Sequence, residues 1–518
     1  MSIMKYMRKY TRKHIMNSRR AHMIIAVLLM NILLFPAYST GATIVKVIDS
    51  NTKIPIKDAI VTSGNTVLLT DKNGTVTVNA PVSSPVNNST NNPANNPANN
   101  PANKIAVRAY GYARNERIIT PPNSTGPIEI SLKPFVPRGL YLSFYGIGDR
   151  KKRQAALDLI EHTELNTLVI DVKGDRGLIN YKSSIALASK IGAQKIITVR
   201  DVNGLIKNLK EKGVYLIARI VVFKDNPLAG AKPDLAVRTK DGAIWRDRES
   251  LAWVDPFKKE VWEYNIDIAE EAARLGFDEI QFDYLRFPDK KSLKFSKPST
   301  EENRTKAISE FLQGAKKRLE PYNVFLNADI FGYVCWNTDD TQIGQKIEDV
   351  VARVDYISPM LYPSGFQYGI PGYRNPVANP NEIVYLSLKR AVERTHIQSN
   401  RFRPWLQAFR DYAYDRRQFK SGEIKAQINA AEKIGSDGWM LWNPRNNYTR
   451  DGLKNKANSS ANIPGSAHTP ASENSSTSVL PPASAKLPGS PNHPASAKLP
   501  GSALPPGSLN SLKPKIGG

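Results

Sequence analysis

Residues 276–288 read GFDEIQFDYLRFP, an apolar run that leads directly into Asp283 and is followed by Arg286 and a proline. Seven further runs of strand length, mostly separated by helical patterns, are RGLYLSFY (138–145), NTLVIDVKG (166–174), GVYLIARIVVF (213–223), NVFLNADIFG (323–332), VDYISPMLYP (354–363), PWLQAFRDY (404–412) and DGWMLWNP (437–444). This alternation predicts an α/β fold, a (β/α)₈ TIM barrel over residues 137–452. An open doubly wound sheet is the alternative, but the glycine-rich phosphate turn typical of that fold is missing from the sequence.

The ends of the predicted strands are polar, and the active site of such a barrel lies at the carboxyl ends of its strands. Asp283 and Asp329, at the ends of the fourth and fifth strands, are predicted to be catalytic. The residues predicted to bind substrate around them are Asp171, Lys173, Arg219, Arg286, Tyr362, Gln407, Trp442 and Asn443. Aromatic rings stack on the faces of sugars, while amide and charged groups fix hydroxyls. The pattern favours a polysaccharide substrate.

Two carboxylates on neighbouring strands suit glycosidic bond cleavage. In the retaining reaction one attacks the anomeric carbon and the other donates a proton, with the carboxyl groups about 5 to 5.5 Å apart. Adjacent strands are about 4.8 Å apart, so Asp283 and Asp329 fit if both point inward. Either could instead be a solvated strand end. Two other carboxyl groups compete for the acid role. Asp171 is expected to share a strand face with Lys173, which would keep it ionised. Asp255 lies in an Asp-Pro turn.

The sequence predicts no metal and no cofactor. The barrel segment holds two histidines, His162 and His396, in or beside helical patterns. They provide no ligand set for zinc and disfavour a Ser-His-Asp hydrolase. Cys335 is the single cysteine, so an intramolecular disulfide is excluded.

The first 39 residues predict a secretory signal peptide. Seven Lys and Arg residues precede the apolar run MIIAVLLMNILLFPAY (23–38), and small residues at Ala37 and Ser39 suit cleavage. An uncleaved anchor is the alternative. We expect a bacterial protein that is secreted or associated with the cell envelope and that contacts the membrane only through this segment.

The chain is strongly basic, with a formal net charge of +25. It remains basic after the seven positive charges of the signal are removed, so an anionic cell-wall polymer is a candidate partner. Nucleic acid is not predicted, because export removes that partner and the sequence has no zinc-finger or aromatic RNA-binding motif.

Two segments flank the barrel. Residues 43–132 carry short alternating runs that predict a small all-β sandwich, interrupted by an Asn/Pro-rich insert at 83–103. Its order D-x-x-T-x-x-P-I-x-D-A-x-V, then T-D-x-N-G, resembles the transthyretin-like or carboxypeptidase regulatory-like domains of exported proteins. The tail at 455–518 is rich in Pro, Ser and Ala, contains ASAKLPGS twice, and is predicted to be disordered.

The barrel motifs FDEIQFDYLRFP, NADIFG, VDYISPMLYPS, RPWLQAF and DGWMLWN resemble a bacterial family of predicted glycoside hydrolases, long catalogued as a domain of unknown function. The resemblance implies a TIM barrel distantly similar to the α-amylase clan. In that clan an arginine lies two residues before the nucleophile and the fifth strand supplies a glutamate acid. Here Gln281 and Asp329 occupy these positions.

The resulting functional hypothesis is a secreted glycoside hydrolase that cleaves an envelope or extracellular polysaccharide. A catalytically inactive barrel that binds glycan at the cell wall is the main alternative. A structural or adhesion protein is a third, and it would be favoured by buried salt bridges between Asp283 and Arg286 or between Asp171 and Lys173.

Overall fold

The computed structural model describes residues 42–64, 66–79, 104–118 and 127–456. The predicted signal peptide at 1–39, the insert at 83–103 and all but the first two residues of the predicted tail at 455–518 lie outside these ranges. Within them, no helix combines the length and the apolar composition needed to cross a membrane.

Two small sheets precede the barrel, and their strands form where the sequence predicts alternating runs. The strands are β1 (Ala42–Asp49), β2 (Ile60–Ser63), β3 (Thr66–Leu69), β4 (Thr75–Asn79), β5 (Lys104–Arg108), β6 (Asn115–Ile118) and β7 (Ile128–Leu132). Their orders are β4-β1-β7 and β3-β2-β5-β6, and Val47, Val61, Val107 and Ile130 contribute to a core that both sheets share. The resemblance of this region to transthyretin-like domains stays a prediction.

A closed barrel of eight parallel strands follows, which confirms the predicted TIM barrel. Its strands are β8 (Arg138–Leu142), β9 (Thr167–Lys173), β10 (Tyr215–Val221), β11 (Glu279–Asp283), β12 (Phe325–Phe331), β13 (Tyr356–Met360), β14 (Trp405–Gln407) and β15 (Trp439–Trp442). They are hydrogen-bonded in chain order, and β15 closes the barrel on β8. All seven residues of β9 and of β10 are buried, as expected for parallel strands covered on both faces.

Helices surround the barrel. They are α1 (Phe144–Gly148), α2 (Arg150–His162), α3 (Ala186–Lys190), α4 (Val202–Glu211), α5 (Asn226–Ala231), α6 (Lys259–Leu275), α7 (Glu301–Leu319), α8 (Ile347–Val351), α9 (Pro380–Thr395) and α10 (Ser421–Lys433). Short 3₁₀ turns cover Pro233–Leu235, Glu320–Tyr322, Gly332–Cys335, Pro363–Gly365, Pro376–Ala378 and Ser399–Arg401.

The junction between α6 and β11 brings Asp283 to the site. Gly276 ends α6 with φ of 103°, in the left-handed region where glycine has no side-chain penalty. Along the strand that follows, side chains alternate. Phe282 packs outward against Phe311 of α7, with ring centroids 4.9 Å apart, so Asp283 faces the barrel interior.

The N-terminal sheet region packs against the amino end of the barrel. Arg114 forms an ion pair with Asp278, immediately before β11, at 3.0 Å. Tyr110 lies edge-on to Tyr356, the first residue of β13, with ring centroids 5.7 Å apart. The two sheets therefore lie at the opposite end from the carboxyl ends of the strands.

Candidate active site

Arg219 of β10 is the central cation at the carboxyl end of the barrel. Its Nε and Nη2 donate to Oδ2 of Asp283 at 2.9 and 2.6 Å, and its Nη1 donates to Oδ1 of Asp171 at 2.6 Å. Nη2 also lies 3.0 Å from Oδ1 of Asp175, in the loop after β9. Arg219 is 1% exposed, so these charge-assisted bonds form away from water and fix the positions of the carboxylates they reach.

The backbone that follows Asp283 fixes its second oxygen. Tyr284 has φ of 49°, a left-handed conformation that a bulky residue rarely adopts. In this conformation its N–H donates to Oδ1 of Asp283 at 2.5 Å. The carboxylate is thus held from both sides, and strain of this kind is often found where geometry serves function.

Asp329 lies beside Asp283 in a different electrostatic setting. The register pairs Phe282 with Ala328, so the two aspartates follow at adjacent positions on strands about 4.8 Å apart. Trp405 Nε1 donates to Oδ1 of Asp329 at 2.8 Å, whereas buried Oδ2 has no hydrogen-bond partner among the described residues. Burial, and then the nearby charge of Asp283, raise the pKa of Asp329 well above its usual range. This carboxyl group is therefore suited to carry a proton.

Asp171 has both oxygens occupied. Oδ1 accepts from Arg219, while Oδ2 accepts from the Tyr141 hydroxyl at 2.7 Å and from the Phe144 N–H at 3.0 Å. Burial raises the pKa of Asp171 to about 6, although Arg219 opposes the shift and Asp175 adds to it. With these donors in place, Asp171 orients its neighbours rather than presenting an oxygen to substrate.

Lys173 does not share the face of Asp171, so that expectation from the sequence is wrong. The register pairs Asp171 with Arg219 but Lys173 with Ile220, so β9 carries one extra residue and the alternation breaks. The Lys173 ammonium is fully buried, 2.6 Å from Oδ2 of Asp225 and 2.9 Å from Oδ1 of Asn265 on α6. It lies between the barrel and its helices, away from the site, and the cation beside Asp171 is Arg219.

Tyr362, after β13, is placed with the catalytic pair. Burial and the charges of Asp329 and Asp283 raise the pKa of its phenol well above the usual range, because a phenolate there would face two carboxyl groups. Its ring packs edge-on against Phe409, with centroids 5.6 Å apart. The half-buried Tyr362 thus keeps a neutral phenol in the electrostatic field of both aspartates.

Two amides predicted to bind sugar are used to hold loops instead. Gln407 Nε2 donates to Ser364 Oγ at 2.7 Å and its Oε1 accepts from the Ser364 N–H, which fixes the turn after Tyr362. Asn443 Nδ2 donates to the carbonyls of Ala408 and Asn447.

The remaining predicted side chains are also engaged. The Trp442 ring stacks on Tyr141, with centroids 3.8 Å apart, and lies edge-on to Trp405 at 5.3 Å. The Arg219 guanidinium is 5.0 Å from the same ring, so Trp442 offers little ring face to a sugar. Arg286 lies over the Trp253 ring at 4.9 Å and donates to the Phe287 carbonyl.

Asp255 holds a turn, in agreement with the simpler of its two interpretations. Oδ1 accepts from the Phe257 N–H at 3.0 Å and Oδ2 accepts from the Ser296 N–H at 2.6 Å. In the part of the chain that the structure describes, no group of three or more His, Cys, Asp or Glu residues is arranged to hold a metal ion.

Sequence reasoning missed three residues of the site: Tyr141, Asp175 and Trp405. Tyr141 lies between two buried leucines of β8, and Trp405 lies two positions before Gln407 on β14, so the period of two could have placed both rings inward. Asp175 follows Gly174 in a loop, and no periodicity predicts where a loop carboxylate points.

A closed parallel barrel with acidic side chains at the carboxyl ends of neighbouring strands is the architecture of the barrel glycoside hydrolases. Residues 139–448 match the sequence profile of a family described as "Putative glycosyl hydrolase domain". The chain belongs to this family, which confirms the family resemblance seen in the barrel motifs. None of the curated proteins compared with the chain matches it.

Several solved structures are similar to parts of this chain. A hypothetical protein from Ruminiclostridium thermocellum ATCC 27405 is 41% identical over 37% of this chain and 96% of its own, with a TM-score of 0.33. The PgaB (BpsB) glycoside hydrolase domain from Bordetella bronchiseptica is 15% identical over 62% of this chain and 99% of its own, with a TM-score of 0.46. A class V chitinase from Pseudomonas fluorescens Pf-5 is 13% identical over 63% of this chain and 98% of its own, with a TM-score of 0.37. The last two likenesses concern the fold alone.

Proposed function

We propose that this chain is a secreted, retaining glycoside hydrolase that cleaves an extracellular or envelope polysaccharide. Asp283 is the nucleophile and Asp329 is the general acid. The observation that carries the proposal is the contrast between these neighbouring carboxyl groups. Asp283 accepts two charge-assisted bonds from Arg219, whereas Asp329 is buried, has a raised pKa and keeps Oδ2 without a partner among the described residues. Glycosidases assign nucleophile and acid by such a difference in environment.

The proposed reaction has two steps. Asp329 donates its proton to the glycosidic oxygen while the Asp283 carboxylate attacks the anomeric carbon, so the glycosidic bond breaks and a glycosyl ester forms on Asp283. Asp329, now ionised, then takes a proton from water, whose oxygen attacks the anomeric carbon and releases Asp283. Two inversions retain the configuration, and both side chains return to their starting states.

Neighbouring side chains prepare these steps. Arg219 positions the nucleophile through two bonds to its Oδ2, and Asp171 orients Arg219 through its bond to Nη1. The Tyr362 phenol, which stays neutral in the field of both aspartates, is our candidate for binding a sugar hydroxyl near the reacting bond.

The export of the enzyme and the polymeric nature of its substrate rest on the sequence. The basic and apolar order of residues 1–39 supports secretion, and the net charge of +25 supports an encounter with anionic envelope material. Trp442, Gln407 and Asn443, the groups that an inactive glycan-binding barrel would use, are engaged in internal contacts. For this reason we favour catalysis over binding alone.

A glycan-release experiment tests the proposal. The full chain is incubated with peptidoglycan, teichoic polymers and α- and β-linked glucans, and new reducing ends are measured beside the Asp283→Asn variant. We expect release from at least one polymer by the wild type, and less than about a tenth of that rate from the variant, because loss of a nucleophile normally costs several powers of ten. Binding without release by the wild type would support the inactive barrel and overturn the proposal.

A further inference from the structure

A basic and aromatic surface borders one side of the barrel mouth. We call it the basic rim and define it by Tyr145, Arg150, Lys151, Lys195 and Arg445. Tyr145, the second residue of α1, comes three positions after the end of β8 and is 52% exposed, although most aromatic side chains of the barrel are buried. The four cations are exposed.

The basic rim is continuous with the candidate site. The residue before Tyr145, Phe144, donates its N–H to Asp171 at 3.0 Å. Thr198 Oγ1 donates to the Phe144 carbonyl at 2.8 Å, which brings the loop containing Lys195 beside α1. Lys152 Nζ donates to the Arg445 carbonyl at 2.5 Å, which brings the loop after β15 to the start of α2. Three segments thus meet around the exposed tyrosine.

The cations of the basic rim are only partly compensated by nearby carboxylates. Helix α2 begins with Arg-Lys-Lys-Arg, and the carboxylate at this end is that of the N-cap Asp149, which accepts from the backbone N–H groups of Lys151 and Lys152. The amino end of a helix carries a partial positive charge, so cations there are unfavourable. None of the four cations of the rim forms an ion pair with an Asp or Glu of the described residues, whereas Arg318 of α7 pairs with three carboxylates on the outer surface. Four exposed cations without an ion-pair partner among the described residues are consistent with a ligand that supplies anions.

We propose that the basic rim is a subsite for an anionic polysaccharide chain, with a sugar ring on Tyr145 and acidic substituents on the surrounding cations. This inference rests on the proposed function and names its substrate class. A flat ring bordered by flexible cations matches a pyranose that carries a carboxylate or phosphate group.

An aromatic residue on the far side of the mouth gives the subsite a direction. Tyr368, in the loop after β13, is 58% exposed, and its N–H donates to the hydroxyl of Tyr333, which follows β12. Strands β8 and β12 are four places apart in the eight-stranded barrel and therefore lie opposite each other. A chain that lies on Tyr145 and Tyr368 crosses the catalytic pair, which favours cleavage at internal bonds.

Binding measurements on the full chain test the subsite independently of cleavage. The Asp283→Asn variant is titrated with fluorescent polygalacturonate, a glycerol-phosphate teichoic polymer and a neutral β-glucan of similar length. In that background the rim variant carries Arg150→Gln, Lys151→Gln and Arg445→Gln. The control carries Lys212→Gln, Lys317→Gln and Lys425→Gln, three exposed lysines on the outer helices with the same change in charge.

We expect the rim variant to bind at least one anionic polymer about tenfold more weakly and with a shallower salt dependence, while the control changes by less than about twofold. Tyr145→Ala should weaken binding of the same polymer. Preference for the carboxylated or the phosphorylated polymer identifies the acidic group. Equal losses in the rim and control variants, or tighter binding of the neutral glucan, would overturn the subsite. If the wild type releases no sugar but the rim variant still loses binding, the proposed function fails and the subsite stands.

Discussion

Arg219 and Asp283 form a buried ion pair in which two guanidinium nitrogens, Nε and Nη2, approach the same carboxylate oxygen at 2.9 and 2.6 Å. Because the same guanidinium also serves Asp171 and Asp175, one cation faces three carboxylates and the mouth keeps an excess of negative charge. A fourth charge on Asp329 would add repulsion in a desolvated site, so its proton is retained. Burial and the neighbouring charge of Asp283 thus suit Asp329 to the role of the acid.

The guanidinium geometry leads to a first prediction, for Arg219→Lys. This variant keeps the charge but loses the two-nitrogen contact. We expect kcat to fall about a hundredfold, because a misplaced reacting group slows the reaction by about this factor. Arg403→Lys is the control, since Arg403 pairs with Glu279 and Asp437 away from the mouth. Both variants should lose stability in urea melts, but only Arg219→Lys should lose most of its turnover. Equal loss of kcat in the two variants would mean that Arg219 acts only on the fold.

The placement of Lys173 leads to a second prediction. Lys173→Met leaves Asp225 buried without its cation, so we expect a loss of about 3 to 5 kcal/mol in the free energy of unfolding. Adding Asp225→Asn removes the stranded charge and should recover part of that loss, with little change in KM. A double variant with a strongly raised KM would instead indicate that Lys173 contacts substrate, as its position in the sequence suggested.

These two cases show how far the sequence could lead. The alternation of strands and helices, and the inward direction of Asp283 and Asp329, follow from period and register alone. The strand face on which Lys173 lies does not follow from them. One extra residue in β9 breaks the period of two, and no local feature of NTLVIDVKG marks this extra residue. Nor does the sequence show that Arg219, rather than an arginine on the nucleophile's own strand, provides the cation.

The amide and aromatic residues at the strand ends illustrate a second limit. The period of two along the strand predicts the direction of the Gln407 side chain. It cannot show that Ser364 is the hydrogen-bond partner of its amide group. Likewise, Trp442 points toward the site, yet its ring is covered by Tyr141. Residue type predicts what a side chain can bind, while the choice between substrate and protein depends on neighbours that are distant in the chain.

The buried Asp171 leads to a third prediction, on the pH dependence of stability. Its pKa rises from 3.8 to about 6 in the folded chain, so the folded state holds this proton more tightly than the unfolded state. The resulting stabilisation is present below the unfolded pKa and is lost as pH rises through about 6. Asp171→Asn removes this dependence. Between pH 4 and pH 7 the variant should therefore gain about 2 to 3 kcal/mol of unfolding free energy relative to the wild type.

Denaturant titrations across this range check the Asp171 prediction, with Asp234→Asn, an exposed aspartate, as the control. The control should follow the wild type at every pH. A constant difference between Asp171→Asn and the wild type would show that the proton affinity of Asp171 is the same in the folded and unfolded states.

The final prediction concerns Asp329 as the acid. Asp329→Ala should slow cleavage of a natural polymer by about a thousandfold, since general acid catalysis contributes roughly two to four powers of ten. Activated aryl glycosides, whose leaving groups need no proton, should be affected far less. Azide should accelerate their turnover, because it attacks the glycosyl ester on Asp283 without a general base and fits the space left by the carboxyl group.

A matched change at Trp405 separates the acid role from a structural one. The Trp405 indole donates to Asp329 and lowers its pKa, so Trp405→Phe should raise that pKa further and move the high-pH limb of kcat upward. Asp329→Ala should remove the same limb for aryl glycosides. If Asp329→Ala loses both substrate types equally and Trp405→Phe leaves the pH profile in place, Asp329 binds sugar or supports the fold. Asp171 and Asp175 would then be the acids to test next at this mouth, because Asp255 is committed to its turn.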